Sequence, residues 1–133
     1  MTEQITDQAL ARKKAMDLLA RREHSRLELY RKLQQRKFAS HIINSELDKL
    51  IDEGLLSDER FAEAYLRSRF ERGKGPNIIF SELLQRGVNE VLVNHALEGI
   101  SEEQWCELAY ETMNKKLGNE TELDKDKQLK LMK

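Results

Sequence analysis

Residues 29–50, LYRKLQQRKFASHIINSELDKL, are followed fifty positions later by residues 79–100, IFSELLQRGVNEVLVNHALEGI, and the two stretches match in order. Apolar residues fall on apolar residues, as Leu33 does on Leu83, and the dipeptide Gln-Arg recurs at the same place. Apolar positions three and four residues apart are typical of amphipathic helices. Self-similarity at a fixed period is typical of helical-repeat proteins. The two stretches therefore predict an all-α fold built from repeats.

A second self-match, at an offset of forty-four residues, shows how each copy of the repeat begins. It places residues 57–63, SDERFAE, over residues 101–107, SEEQWCE. Each copy thus starts with a helix of the same kind, and three helices make one unit. Such units stack into an elongated, curved array. The predicted parts are an N-terminal tail over 1–10, a first unit over 11–56, a second unit over 57–100 and an incomplete third unit over 101–133.

Helix boundaries follow from residues that cap helix ends. Ser25 and Glu28 have the spacing of a capping box, and so do Ser101 and Gln104. The other predicted end residues are the N-caps Ser57 and Asn89, the helix-opening Pro76, and the helix-ending Gly54 and Gly87. The predicted helices span residues 8–22, 26–37, 40–53, 58–72, 76–86, 90–98, 102–117 and 121–133.

Each unit is expected to bury a small core, because its apolar residues share helix faces. The first core is predicted to contain Ala11, Ala15, Leu18, Leu19, Leu29, Tyr30, Leu33, Ile43, Leu47, Leu50 and Ile51. The second is predicted to contain Phe61, Tyr65, Leu66, Ile79, Phe80, Leu83 and Leu84. The linker of Leu55 and Leu56 is expected to hold the neighbouring cores in contact. Cys106 is predicted to be a small buried side chain in a reducing compartment.

The third unit is shorter than the other two. A full copy would need a further helix of about a dozen residues beyond Lys133, so either this copy is naturally short or the chain is a truncated form. The last predicted helix carries a thin apolar pattern of Leu123, Leu129, Leu131 and Met132. We expect that helix to be loosely held, with disorder or a partner contact there.

Composition and charge limit the classes of function. The 133-residue chain is 39% hydrophobic and 35% charged, and its apolar runs are too short for a membrane span or a signal peptide. A cytoplasmic location without membrane contact is therefore expected. The net charge of −1 hides an asymmetry, since residues 11–37 hold ten basic against three acidic residues, a balance of +7. The rest of the chain must sum to −8.

No arrangement of residues predicts catalysis, so the chain is not expected to be an enzyme. His24, His41 and His95 lie far apart without a carboxylate or Cys at ligand spacing, and we interpret them as surface or helix-end residues. The segment Gly73-Lys74-Gly75 lacks the spacing and the following Ser or Thr of a phosphate loop. No metal or cofactor is expected.

Basic residues are the feature that predicts binding. They cluster near the first interhelix turn and again near the equivalent turn of the second unit, so stacked units align them into a stripe able to follow a regularly charged polymer. The predicted contact residues, chosen by charge alone, are Arg21, Arg22, Arg26, Arg31, Lys32, Arg36, Arg67, Arg69, Arg72 and Lys74.

The third helix argues against sequence-specific reading of DNA by this unit. A recognition helix enters the major groove and needs a basic or polar outer face. Here that helix carries Glu46, Asp48, Asp52 and Glu53 against Lys49. Two classes stay open from the charges: a helical-repeat adaptor that binds a protein through alternating charged surfaces, and a helical protein that binds DNA without sequence specificity through its phosphates.

Several residues together resemble the RecX family of bacterial recombinase regulators. In the first unit they are residues 20–25, ARREHS, with Glu28, Leu29 and Leu33. In the second they are residues 56–62, LSDERFA, with Arg69, Gly73, Gly75, Pro76, Leu83, Gly87 and Val88. The resemblance covers residues 11–99, and the order of its elements is specific. Family members of this kind are expected to finish a third unit.

The resemblance implies a tandem three-helix fold and a partner, the RecA nucleoprotein filament. A regulator of this family is expected to lodge in the helical groove of the filament as a monomer. There it would restrain filament growth, ATP hydrolysis, strand exchange and the coprotease activity of the SOS response, in DNA repair and homologous recombination. Basic residues would meet the phosphates of single- and double-stranded DNA or acidic filament surface, and the acidic third helix would meet basic recombinase surface.

Overall fold

The structure is a computed structural model that describes residues 4–131, with side chains described through Leu117. These residues form seven helices and one isolated β-bridge between Ile5 and Phe38. The helices are α1 (Gln8–Arg21), α2 (Arg26–Gln35), α3 (Ser40–Asp52), α4 (Asp58–Glu71), α5 (Pro76–Gln85), α6 (Glu90–Glu98) and α7 (Glu102–Leu131). The predicted all-α repeat array is confirmed, with α1–α3 and α4–α6 as two three-helix units.

The predicted helix ends are confirmed by hydrogen bonds. Ser25 and Glu28 form the capping box of α2, and Ser101 and Gln104 exchange the same two bonds at the start of α7. Ser57 and Asn89 cap α4 and α6, Pro76 stands in the first turn of α5, and Gly54 and Gly87 have φ of 75° and 83°. An N-cap that the sequence analysis missed is Asp7, which accepts from the Leu10 N–H at 3.1 Å.

Lys37 occupies a left-handed position at the end of α2. Its φ of 70° is the one positive value at a non-glycine residue in the described chain. The repeat places Lys37 over Gly87, which holds the same conformation after α5. A side chain at this position costs roughly 1–2 kcal/mol. The first unit therefore carries a strain that the second unit avoids.

The last two predicted helices are wrong in one respect. Residues 102–117 and 121–133 were expected to be separate, but one helix, α7, continues through Gly118 to Leu131. A single glycine inside a helix costs about 1 kcal/mol and does not by itself end it. The expectation that the helix carrying Leu123, Leu129, Leu131 and Met132 is loosely held concerns side chains outside those that the structure describes.

The two units have separate apolar cores. The first is built from α1, α2 and α3 around Leu29, Leu33 and Leu47, and the second from α4, α5 and α6 around Phe61 and Leu83. The linker does not bridge them as expected: Leu56 is buried in the first core and Leu55 is exposed.

Two predicted core residues are wrong. Ile51 and Leu84 are 42% and 40% exposed. Each follows directly after a fully buried leucine, Leu50 or Leu83, and so lies about 100° further round its helix. That edge of the apolar stripe is therefore open to solvent in both units.

α7 packs on the second unit through its first turns. Trp105 lies against the second core and meets Phe70 edge-on, with ring centroids 5.3 Å apart. Thr112 lies so close to Gly73 that a Cβ there would be 2.6 Å from the Thr112 hydroxyl. The prediction that Cys106 is buried is wrong, because it is exposed. Among the described helices, none has the length and hydropathy to cross a membrane.

Candidate functional site

The two units meet head to tail, with the N-terminus of α2 on the C-terminus of α5. The Ser25 hydroxyl, which already caps α2, donates to the Arg86 carbonyl at 2.7 Å. The Arg26 N–H donates to the Asp58 carboxylate at 2.8 Å. Leu27 packs directly on Gly87, so that a Cβ there would lie 2.6 Å from the Leu27 Cβ. Polar end groups rather than a shared apolar core therefore join the units.

A groove of about 370 Å³, which we call the junction groove, opens beside this contact. Its lining residues are Arg22, Glu23, Glu28, Phe61, Ala64, Tyr65, Ser68, Arg69, Arg72 and Arg86. Four arginines from both units thus surround one cleft. Arg22 and Arg72 are equivalent residues, since each is the C-cap of the first helix of its unit. Two of the four cations thus come from equivalent positions of the two units.

Glu28 is the central anion of the junction. It accepts two hydrogen bonds from the Arg22 guanidinium, both at 3.2 Å, and a third from the Ser25 N–H at 3.1 Å. The Arg86 Nε lies 3.8 Å away across the junction. Burial alone would raise the pKa of Glu28, but the bonds from Arg22 and Ser25 outweigh it and hold the pKa below its ordinary value. Glu28 is therefore charged and fully partnered.

Tyr65 forms the opposite wall of the junction groove between two guanidinium groups. The Arg69 and Arg86 Cζ atoms lie 5.1 Å and 4.6 Å from its ring centroid, within the range of cation–π contacts. Its hydroxyl donates to Glu82 and accepts from the Arg69 Nε at 3.0 Å. Burial, with the bond to Glu82, raises the pKa of Tyr65. The wall is thus a fixed, neutral aromatic surface held by cations.

The structure divides the ten predicted contact residues into groups. Arg22, Arg69 and Arg72 lie in the junction groove. Arg26 instead binds Asp48 at 2.9 Å inside the first unit. Arg67 lines a separate groove of about 620 Å³ between α4 and α6. The residues that are exposed and have no side-chain partner among those described are Arg21, Arg31, Arg36, Arg67, Arg72 and Lys74.

Arg86 is the one groove arginine that was not among the predicted contact residues. It contributes a guanidinium to the groove, a stacking partner to Tyr65 and a carbonyl to Ser25. The signal was present, because the repeat aligns Arg86 with Arg36, which was included. Arg86 was omitted because it stands apart in sequence from both basic clusters. Its position in the groove depends on the contact between units, which no local pattern encodes.

His24 was expected at the surface or at a helix end; it lies at a helix end, directly before the N-cap Ser25, and is only 1% exposed. Its Nδ1 lies 3.0 Å from the Arg22 carbonyl and its Nε2 lies 3.1 Å from the Lys32 Nζ. The neutral ring satisfies both contacts if Nδ1–H donates to the carbonyl and Nε2 accepts from the ammonium. Burial, followed by the charges of Arg22 and Lys32, lowers the pKa of His24. Lys32 is thus partly committed inside the first unit.

The acidic face expected on α3 is largely neutralised within the first unit. Glu46, expected on the outer face, is instead only 3% exposed, and lies 3.7 Å from Arg12 and 3.5 Å from Lys49. Arg12 also pairs with Glu53. Since Asp48 pairs with Arg26, Asp52 is the one α3 acid without a partner among the described residues. Three of the four acidic residues expected on this face are thus paired within the first unit.

The described residues do not point to metal chemistry. No three His, Cys, Asp or Glu side chains among them are grouped closely enough to hold a metal ion. The described surface instead carries arginine side chains on both sides of the junction groove. Guanidinium groups recognise phosphate and carboxylate oxygens, often through paired hydrogen bonds.

Comparison with protein-family models finds two matches. Residues 11–50 match the model of the first three-helix domain of RecX, and residues 57–97 match that of the second three-helix domain of RecX. These two segments make up more than half of the chain and correspond to the units α1–α3 and α4–α6.

Individual relatives and solved structures agree with these models. The regulatory protein RecX of Pseudomonas putida strain GB-1 is 44% identical over 113 residues, which cover 85% of this chain and 72% of that protein. The same protein of Pseudomonas syringae pv. tomato strain DC3000 is 44% identical over 115 residues, with the same coverage.

Two crystal structures share the fold. A regulatory protein RecX superposes with a TM-score of 0.71 at 28% identity, covering 76% of this chain and 51% of that one. RecX from Lactobacillus salivarius superposes with a TM-score of 0.74 at 26% identity, covering 86% of this chain and 75% of that one. This chain thus spans about half the length of the first of these two structures.

Proposed function

Because this chain belongs to the RecX family of regulatory proteins, we propose that it binds the RecA nucleoprotein filament and restrains its activities. The restrained activities are filament growth, ATP hydrolysis, strand exchange and coprotease activity. In this role the chain is a binding protein without a reaction of its own, acts in the cytoplasm as a monomer, and contacts DNA through phosphates.

The observation that carries the proposal is the supply of unpaired cations on a repeated scaffold. Arg31 and Arg36 are exposed on α2 and have no side-chain partner among the described residues, and Arg72 and Lys74 are equally free at the second interhelix turn. DNA in a filament presents a continuous row of phosphates, and free cations on both units can contact such a polyanion. These free cations support a polyanionic partner.

The structure leaves fewer free acidic residues on α3 for a contact with the recombinase than the sequence suggested. With Glu46, Asp48 and Glu53 paired inside the first unit, α3 offers mainly Asp52 to a basic recombinase surface. Exposed single ion pairs contribute about 0–1 kcal/mol each. The proposal therefore gives the main share of binding to the arginines and a minor share to α3.

The test is the rate of ATP hydrolysis by RecA on single-stranded DNA, measured against increasing concentrations of the purified chain. The wild type is expected to slow hydrolysis. The double variant Arg31→Ala with Arg36→Ala is expected to require roughly two- to thirtyfold more protein, because two exposed ion pairs contribute about 0.2–1 kcal/mol each. Lys32 is left intact because its ammonium contacts buried His24.

The matched control is Lys13→Ala with Lys115→Ala, which removes two exposed charges outside the proposed contact set. It is expected to inhibit as the wild type does, and both variants are expected to keep the wild-type helical content. If the wild type leaves hydrolysis unchanged, the proposal is wrong, and an adaptor for another protein or a non-specific DNA binder takes its place. If the control loses as much inhibition as the double variant, α2 is not a specific contact.

A further inference from the structure

The junction groove has the features of a built anion site, and it lies where the two units are joined. We propose that it binds a backbone phosphate of a single nucleic-acid strand. This inference refines the proposed function and rests on it for the presence of DNA in the assembly. It assigns a ligand to a cleft whose arginines come from two units and which neither unit forms alone.

The cations of the groove converge from two units. Arg22 closes α1 in the first unit, Arg72 closes α4 in the second, and Arg69 and Arg86 line the wall around Tyr65. Arg72 is exposed and its guanidinium has no partner among the described residues. A free guanidinium beside three others is electrostatically unfavourable without an anion. The groove thus holds one cation whose counter-charge must come from a ligand or from solvent ions.

The two carboxylates in the lining do not supply that counter-charge. Glu23 accepts from the Arg60 Nε at 3.1 Å, and Glu28 accepts from Arg22 and from the Ser25 N–H. Glu23 is therefore engaged by a residue outside the lining, and Glu28 is engaged by Arg22 within it, so neither pairs with Arg72. Four arginines against two glutamates leave the lining with a net charge of +2. A phosphodiester, which carries one negative charge, is attracted without displacing either glutamate.

Size and wall chemistry favour one strand over a duplex. The groove, at about 370 Å³, is near the lower end of ligand cavities, which measure roughly 300–1,000 Å³. It accepts a phosphate with its sugar but not two strands. Ala64 gives an apolar wall for the sugar, and Ser68 adds a hydroxyl donor. A protein carboxylate offers only the charge and leaves that wall uncovered.

Arg72 is the residue to replace, because it has no structural partner to lose. Arg22→Ala would remove two hydrogen bonds from Glu28, and Arg69→Ala would remove the ion pair of Glu82. The experiment measures fluorescence anisotropy of a labelled oligodeoxythymidine with the full chain across a salt series. The variants are Arg72→Ala, Arg72→Lys and the control Lys13→Ala, which removes an exposed charge on α1 outside the groove. Equal melting temperatures of the wild type and the three variants establish that all four proteins are folded alike.

The expected result for Arg72→Ala is the loss of one phosphate contact. On single strands one contact contributes about −0.7 to the slope of log affinity against log salt, so affinity falls about fivefold at about 0.1 M salt. Arg72→Lys is expected to keep the wild-type slope, since an ammonium also binds phosphate as a point charge. Lys13→Ala is expected to keep both slope and affinity.

Several outcomes overturn the inference. One is an oligonucleotide that does not bind the wild type, and another is an Arg72→Ala protein with unchanged slope and affinity. A third is an Arg72→Ala protein that binds the oligonucleotide normally but no longer slows RecA ATP hydrolysis; the groove then takes an acidic protein surface, and the proposed function stands. Conversely, Arg72-dependent binding without any effect of the wild type on hydrolysis refutes the proposed function and leaves the groove assignment intact.

Discussion

Replacing Gly87 by alanine is expected to weaken the junction between the units through two separable effects. The first is backbone strain, because Gly87 has φ of 83° and a side chain in that region costs roughly 1–2 kcal/mol. The second is contact, because the new Cβ would lie 2.6 Å from the Leu27 Cβ and 2.8 Å from its Cδ2. Overpacking of this kind costs about 1–3 kcal/mol. The sum is about 2–5 kcal/mol.

Gly54→Ala is the matched control for the strain alone. Gly54 has φ of 75°, and a Cβ there meets no atom within 4 Å. Its replacement is therefore expected to cost only about 1–2 kcal/mol. The difference between the two variants measures the Leu27 contact. Leu27→Ala added to Gly87→Ala is expected to recover part of the loss, since it removes Cδ2 but leaves the Leu27 Cβ in place.

The assay is urea unfolding followed by circular dichroism at 222 nm and by Trp105 fluorescence. Circular dichroism reports all helices, whereas Trp105 packs on the second core and reports that unit. The free energy of unfolding and its dependence on urea are compared for wild type, Gly54→Ala and Gly87→Ala. If Gly87→Ala costs no more than Gly54→Ala, the close contact with Leu27 does not exist in solution, and the described junction is refuted.

Two further predictions concern the first unit. Lys37→Gly is expected to raise the free energy of unfolding by about 0.5–1 kcal/mol, because the relieved strain of roughly 1–2 kcal/mol exceeds the backbone entropy that glycine costs; a urea midpoint below that of the wild type would contradict this. His24 has a pKa lowered from 6.5, so its neutral form stabilises the fold fully above that pH, and stability is lost as the pH falls through the lower folded pKa. His24→Gln is expected to flatten the pH dependence of the melting temperature just below pH 6.5. The loss of stability below pH 4.5, where Glu28 takes up protons, is expected to remain. An unaltered slope below pH 6.5 would show that His24 does not titrate there.

Much of the fold is encoded locally and was predictable. Capping pairs such as Ser25 with Glu28 act within one helical turn, so their spacing in the sequence is their spacing in the structure. The repeat added the order of the helices, because equivalent residues such as Gly87 mark equivalent ends. The failures are of another kind. Ile51 has the right period for the core, but its burial depends on whether another helix covers that edge.

The candidate site was predictable only in part. Arg22 and Arg72 follow from charge and from repeat position, whereas Arg86 reaches the groove only through the contact of α5 with α2. Burial of Glu46 and of His24 was missed because each depends on a contact that the sequence does not show: Arg12 of α1 for Glu46, and Lys32 of α2 for His24. Pairing of charges is a tertiary property.

The head-to-tail junction also orders events during synthesis. The Ser25 hydroxyl donates a hydrogen bond to the carbonyl of Arg86, which lies 61 residues further along the chain. At a translation rate of about 5–20 residues per second, the first unit, which ends at residue 56, is synthesised roughly 1.5–6 s before this acceptor is available. During that interval the nascent first unit depends on its own core, with Leu27 still uncovered. Folding of the second unit then forms the contacts of the junction, so the array is completed from its N-terminus towards its C-terminus.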